Sequence, residues 1–255
     1  AKNSKDFKLE ANELNQLIFK GMYPELYQNE NIDIDMFYSN YVDTYIERDV
    51  SKLINLKDKL KFQNFMELLA SLTGEELVYD TIAKAVGVKI ETIKSWISVL
   101  VAGDIIYLLQ PYNELSMVKR IVKRPKIYFS DTGLACYLAR LNNDNVLKNS
   151  IFKGRFVETY IVNEIRKSFR NNGIKENFYY YRDNKQNEID LVILDEGILH
   201  FVECKSGVDF DKSDVKAFSK LNDSNYKIGN SCIICNTTAI YKIDEDVYAF
   251  PISGI

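Results

Sequence analysis

Apolar positions three and four residues apart dominate the first part of the chain, and short apolar runs at strand spacing dominate the last third. The helical spacing predicts a helix over residues 1–20, with Leu9, Leu14, Leu17 and Ile18 apolar and a break at Gly21-Met-Tyr-Pro24. A second helix is expected over Met36 to Ile54, with Tyr41, Tyr45 and Ile46 on one face. A third is expected over Phe62 to Leu72, with Gly74 at a C-cap position. Residues 78–87 read as a short helix ending at Gly87, followed by a turn at 88–92. Ile93 to Val101 then reads as a helix with Trp96, Ile97 and Leu100 facing inward.

A strand-like run, 102–109, and a return strand, Ile127 to Phe129, flank a loop that ends in Lys119-Arg-Ile-Val-Lys-Arg-Pro-Lys126. Helix, Gly turn, helix, and two strands around a basic loop make the pattern of a winged helix-turn-helix. The second helix of such a module enters the major groove of DNA, and the wing touches phosphates. The groove-facing candidates are Lys89, Thr92, Lys94 and Ser95. The wing candidates are Lys119, Arg120, Lys123, Arg124 and Lys126.

Asp131 to Ala139 reads as a short helix, and the polar cluster Asn142-Asn-Asp-Asn145 as a domain boundary. Beyond it the expectation is a helix over 153–171, strands at 177–182, 230–236 and 247–250, and a helix over 211–222. The most informative stretch lies among them, from Asp190 to Lys205. It reads as two strands joined at Asp195-Glu196-Gly197. Strand side chains alternate faces, so Glu203 and Lys205 point one way and Val202 and Cys204 the other. Upstream, Glu158 shares a helical face with Ile161, Val162 and Ile165. A carboxylate there is costly unless it is paired, binds a metal or reaches solvent from the edge of that face. Two acids and a lysine at one sheet edge are a layout suited to metal-assisted phosphodiester cleavage. The alternative is a surface Asp beside a cross-strand Glu/Lys pair.

Composition narrows the classes. The chain has 255 residues, 46% of them hydrophobic, and a net charge of −3, which describes a globular protein. Charge is uneven: residues 1–55 carry 6 basic and 10 acidic side chains, whereas 56–127 carry 11 and 8, so a local basic surface is available for nucleic acid. His200 is the lone histidine, which argues against Ser-His or Cys-His nucleophiles. Cys136, Cys204, Cys232 and Cys235 include a Cys232-Ile-Ile-Cys235 spacing without a second Cys/His pair, so buried free thiols in the cytoplasm are expected rather than zinc. No apolar run reaches the roughly 20 residues of a membrane span.

The order helical Glu158, strand Asp190, turn, strand Glu203-x-Lys205 resembles the PD-(D/E)XK nuclease superfamily, with Ile189 where the superfamily name has proline. The resemblance implies Glu158, Asp190, Glu203 and the carbonyl of Cys204 as ligands of Mg²⁺ or Mn²⁺. It implies Asp190, Glu203 and Lys205 as the catalytic set. A wider resemblance rests on Gly21-Met-Tyr-Pro-Glu25, Tyr45-Ile-Glu-Arg-Asp49, Lys119-Arg-Ile-Val-Lys123, Pro125-Lys-Ile-Tyr-Phe-Ser-Asp-Thr-Gly-Leu134 and Phe156-Val-Glu158. In that order they resemble the region following the P-loop module of bacterial and archaeal AAA-type ATPases. The chain has no Gly-x-x-x-x-Gly-Lys-[Ser/Thr], so the resemblance implies a piece or remnant without the ATPase module, and no P-loop ATP binding.

The expected fold class is therefore mixed α+β. A helical, lid-like segment (1–60) and a winged helix-turn-helix (61–140) would precede a nuclease-like α/β domain (146–255). The expected partners are DNA, an AAA-type module in cis or in trans, and a second copy of the chain, without a membrane. Two functions follow: a DNA-binding, metal-dependent nuclease, or a catalytically inactive nuclease fold serving the ATPase as a DNA-binding, protein-binding or oligomerisation module.

Overall fold

A computed structural model describes residues 11–29, 31–45, 48, 50, 58–113, 124–222 and 224–255. The fold is mixed α+β, with helices towards the N-terminus and a many-stranded sheet towards the C-terminus. Two compact units are present. One gathers residues 15–108 and 127–156; the other gathers 109–126 and 157–255, together with residues 1–14. Among the described residues, no helix is long and apolar enough to cross a membrane.

The first unit is built from the end of α1 (Ala11–Lys20) from residue 15 on, α2 (Pro24–Gln28), α3 (Ile34–Tyr45), α4 (Lys59–Ser71), α5 (Tyr79–Val86), α6 (Ile90–Ala102), α7 (Thr132–Leu138) and α8 (Asp144–Asn149). Asp58 caps α4 by accepting from the Lys61 N–H, and Gly87 ends α5 in the left-handed conformation that favours glycine. Trp96 of α6 packs edge-on against Phe62 of α4 and tilted against Phe65, with ring centroids 5.1 and 5.2 Å away. Strand β1 (Ile106–Pro111) starts in this unit, as does most of β2 (Lys126–Phe129), where Tyr107 stacks on Tyr128.

Asp131 organises the motifs that are most distinctive in the sequence. Its carboxylate caps α7 through the Leu134 N–H (2.7 Å), accepts from the Met22 N–H (2.7 Å) and accepts from the Tyr38 hydroxyl (2.8 Å). Tyr38 is fully buried, and burial together with the Asp131 charge holds its hydroxyl protonated, far above the ordinary range. Gly21 and Gly133 leave room for this arrangement. A Cβ on either would lie 2.2 Å from the Tyr38 oxygen, and Gly21 also has φ +73°.

The short helix α2 and the helix α8 depart from the sequence expectation. Pro24 sits in the first turn of α2, where its missing N–H costs nothing. The Asn142–Asn145 cluster starts α8, with the Asn143 side chain accepting from the Val146 N–H. Asn is as suited to an N-cap as to a linker.

The second unit is a mixed sheet. The end of β1 pairs in parallel with β3 (Phe178–Arg182), and β3, β4 (Glu188–Asp195) and β5 (Ile198–Cys204) follow antiparallel. β5 runs parallel to β6 (Lys227–Ile228) and β7 (Ser231–Cys235), β7 parallel to β9 (Val247–Pro251), and β8 (Tyr241–Asp244) antiparallel to β9. The helix α9 (Lys153–Asn171) enters this unit at Val157. Glu196 and Gly197 both have positive φ (45° and 79°), as a two-residue turn matched to strand twist requires. The helix expected over 211–222 is a 3₁₀ segment, Lys216–Leu221, and β8 is a strand that the sequence pattern did not reveal. Phe201, Phe218, Leu199, Val192, Ile233 and Ala249 are central to the core.

Gly133→Ala is expected to destabilise the chain by about 1–3 kcal/mol, as overpacking against a group that cannot retreat does. Urea unfolding checks this, and an unchanged midpoint would show that Tyr38 can yield.

Candidate functional site

Strand β4 carries the buried run Ile189-Asp-Leu-Val-Ile193, so a carboxylate at Asp190 must find partners inside the protein. The β4–β5 register pairs Leu191 with Val202, and one step further brings Asp190 opposite Glu203 and then Glu188 beside Lys205. All four side chains therefore share one face of the sheet. The Cys204 N–H donates to Asp190 Oδ2 (2.9 Å), which fixes the carboxylate against β5.

The structure brings the sequence-predicted acids together around a residue that the sequence placed elsewhere. Lys126, expected in the basic wing, is 3% exposed, and its Nζ lies 2.6 Å from Glu188 Oε1, 2.8 Å from Glu158 Oε1 and 3.6 Å from Asp190 Oδ1. Its hydrocarbon stem and ammonium cannot reach a DNA phosphate from there. The Tyr180 ring centroid is 5.7 Å from the ammonium, and the Tyr180 hydroxyl donates to the carbonyl of Arg124, two residues before Lys126. Burial alone would lower the Lys126 pKa, but Glu158, Asp190 and Glu188 override it and hold the ammonium well above the ordinary lysine range.

Glu203 is 7% exposed. Its Oε1 accepts from Lys205 Nζ (2.7 Å), while Oε2 is buried with no hydrogen-bond partner. Burial and the neighbouring Asp190 charge push its carboxyl up to about 8, against the opposing pull of Lys205. Lys205 itself is held above its ordinary value, burial being outweighed by Glu203. Arg182 lies 3.6 Å from Glu188 Oε2. Among the described residues Lys126, Lys205 and Arg182 thus face Glu158, Glu188, Asp190 and Glu203.

This arrangement does not fit a divalent metal as it stands. The ammonium occupies the space on which Glu158, Glu188 and Asp190 converge, and among the described residues no group of three or more His, Cys, Asp or Glu side chains is placed to hold an ion. Cys204 is buried, and its N–H is committed to Asp190. Glu188 was missed from the sequence although it stands two residues before Asp190, the spacing that shares a strand face.

Of the DNA-contact candidates, Lys89, Thr92, Lys94 and Ser95 belong to the other unit. Lys89, Lys94 and Ser95 are exposed at the start of α6 and Thr92 is half-buried; Lys94 Nζ lies 5.9 Å from the Tyr79 ring centroid. Arg124 is exposed, and Lys119, Arg120 and Lys123 lie outside the described residues.

Comparison with known proteins gives families without assigned chemistry. The family model described as "Domain of unknown function (DUF8612)" matches residues 11–145. That described as "Domain of unknown function (DUF4143)" matches residues 153–255, and this domain is known as a C-terminal region of AAA-ATPase-like proteins. The uncharacterized proteins Rv2008c of Mycobacterium tuberculosis and Mb2031c of Mycobacterium bovis are each 23% identical over 173 residues, covering 68% of this chain and 38% of theirs. The chain thus spans less than half the length of these relatives. No solved structure gives a significant match.

The Glu203 environment sets a pH dependence. Its folded pKa of about 8 exceeds the unfolded value near 4.3, so the folded state holds a proton that the unfolded state releases. The stability linked to that proton is complete below the unfolded value and is lost as pH rises through about 8. Glu203→Gln, which keeps a neutral side chain, is expected to stabilise the chain at pH above 8 and to leave it little changed near pH 5. Urea melts across that range check this, and parallel curves for the two proteins would refute it.

Proposed function

We propose that this chain, which belongs to the DUF8612 family, is a DNA-binding module of an AAA-ATPase-like protein whose nuclease-like domain does not hydrolyse DNA in the state described. The observation that carries the reading is Lys126. A lysine that is 3% exposed and bound by Glu158, Glu188 and Asp190 neutralises the carboxylates that metal-assisted cleavage would need free. Such a cluster holds its shape, because removing one partner of a buried ion pair leaves uncompensated charge and costs about 3–5 kcal/mol.

The DNA-binding half of the proposal is supported by the α5–α6 pair. Gly87 closes a tight turn, Trp96 and Ile97 face the core, and Lys89, Lys94 and Ser95 are left on the outer surface of α6. In a winged helix this is the surface that enters the major groove, with contacts that neutralise phosphates more than they read sequence. The basic loop before Lys126 would add phosphate contacts.

One observation favours the metal-dependent nuclease as a second reading. Glu203 Oε2 is buried without a partner beside Asp190, as a carboxylate poised for a cation would be. In that reading Lys205 would offset charge developing on the phosphate.

The chain is expected to bind duplex DNA with strong salt dependence. Lys89→Ala with Lys94→Ala should weaken binding and reduce the slope of log affinity against log salt by about two, one per lost phosphate contact. Supercoiled plasmid should stay intact with Mg²⁺ or Mn²⁺. DNA binding that is absent at low salt, or nicking that Asp190→Asn abolishes, would overturn the proposal.

A further inference from the structure

We propose that Lys126 is a tethered cation that keeps a latent divalent-cation site closed, the site being formed by Glu158, Glu188 and Asp190 with Glu203 beside them. The inference rests on the non-hydrolytic reading above and gives its physical reason. Oxygen atoms from α9 (Glu158) and β4 (Glu188 and Asp190) converge on one point, and the ammonium fills that point. Carboxylate oxygens are the ligands that Mg²⁺, Mn²⁺ and Ca²⁺ take, whereas the site offers no thiolate or imidazole for a softer metal.

The cluster has more acceptor capacity than the lysine uses. An ammonium has three donor hydrogens, and here Glu158 and Glu188 take the two short contacts while Asp190 stands at 3.6 Å. Glu203 Oε2, buried and unpartnered on the same sheet face, is an independent sign that one more cation contact is missing. Asp190 is pre-set for ligation, since the Cys204 N–H holds its Oδ2 and leaves Oδ1 turned towards the ammonium.

A lysine and a divalent ion exclude each other in this volume. They would share ligands, and two positive centres a few ångströms apart repel strongly where water is scarce. The lysine also carries the advantage of its tether, because its local concentration does not fall when the free metal is dilute. Lys205 does not play this part: its side chain is one-third exposed, and its contact is to Glu203 Oε1. Lys126 is the group that contacts Glu158, Glu188 and Asp190 together, and it can be removed without touching a carboxylate.

Thermal melting of the whole chain with and without millimolar MnCl₂ tests this. Wild type is expected to melt at the same temperature in both. Lys126→Met, which keeps the apolar stem and removes the charge, should melt lower than wild type without metal. It should rise by roughly 5–10 °C once Mn²⁺ exceeds its dissociation constant about a hundredfold. The rise should vanish in Lys126→Met with Asp190→Asn. A Lys126→Met chain that folds only when Mn²⁺ is present also supports the proposal.

The failures are separable. A Mn²⁺-induced rise in wild type that Asp190→Asn removes would overturn the non-hydrolytic reading along with the inference, because the site would be open already. A flat response in both wild type and Lys126→Met would overturn the inference alone. So would a Lys126→Met chain that stays unfolded with Mn²⁺, or a rise that survives Asp190→Asn.

Discussion

One buried ammonium sets the electrostatics of the charged face that β4 and β5 share. Strand β4 is buried along Ile189–Ile193, and the pairing with β5 drives Asp190 against Glu203. Like charges opposite each other on one face would oppose that pairing. Lys126, buried, and Lys205, one-third exposed, offset the repulsion, and the remainder appears in Glu203, whose carboxyl is pushed up to about 8. The register that the apolar residues demand is thereby reconciled with acids that share a face, and the same reconciliation closes the space a metal would take.

The first unit depends on a comparable buried carboxylate solved in a different way. Asp131 is satisfied by the N–H groups of Met22 and Leu134 and by the hydroxyl of Tyr38, and two glycines, Gly21 and Gly133, make the close approach possible. Hydrogen bonds to a carboxylate are stronger than neutral ones, so these three do much to support a buried charge. This accounts for the Gly-Met-Tyr-Pro and Ser-Asp-Thr-Gly-Leu motifs as the architecture of a helical core.

Much of the fold was legible because it rests on local rules. Periodicity located α4, α6, α9 and the strands β3, β4, β5 and β7, and Gly87 and Gly197 marked their turns. The grouping of Glu158, Asp190 and Glu203 was implied by the resemblance to the nuclease superfamily, and strand alternation added that Glu203 and Lys205 share a face. Other features depended on tertiary context that no local pattern carries. Lys126 ends a basic run, so composition assigned it to solvent, although only the apolar Ile127-Tyr-Phe129 after it hinted at depth. Glu188 lies outside the Asp190…Glu203-x-Lys205 motif, so only its two-residue spacing from Asp190 marked it. The short strand β8 alternates half-buried with exposed positions at an edge, which gives a weak pattern. The Asn143 cap is chemically indistinguishable in sequence from a loop residue.

The protonation state of Lys126 is the point on which this account turns. It can be read directly from the ¹³C resonance of the Lys126 ε-carbon, assigned by comparison with Lys126→Met and followed through alkaline pH while the fold is monitored. The account predicts that this carbon titrates well above the ordinary lysine value, or not at all before the chain unfolds, because Glu158, Asp190 and Glu188 hold the proton in place. A midpoint at or below that of an exposed lysine would mean that the ammonium does not neutralise these carboxylates, and would contradict it.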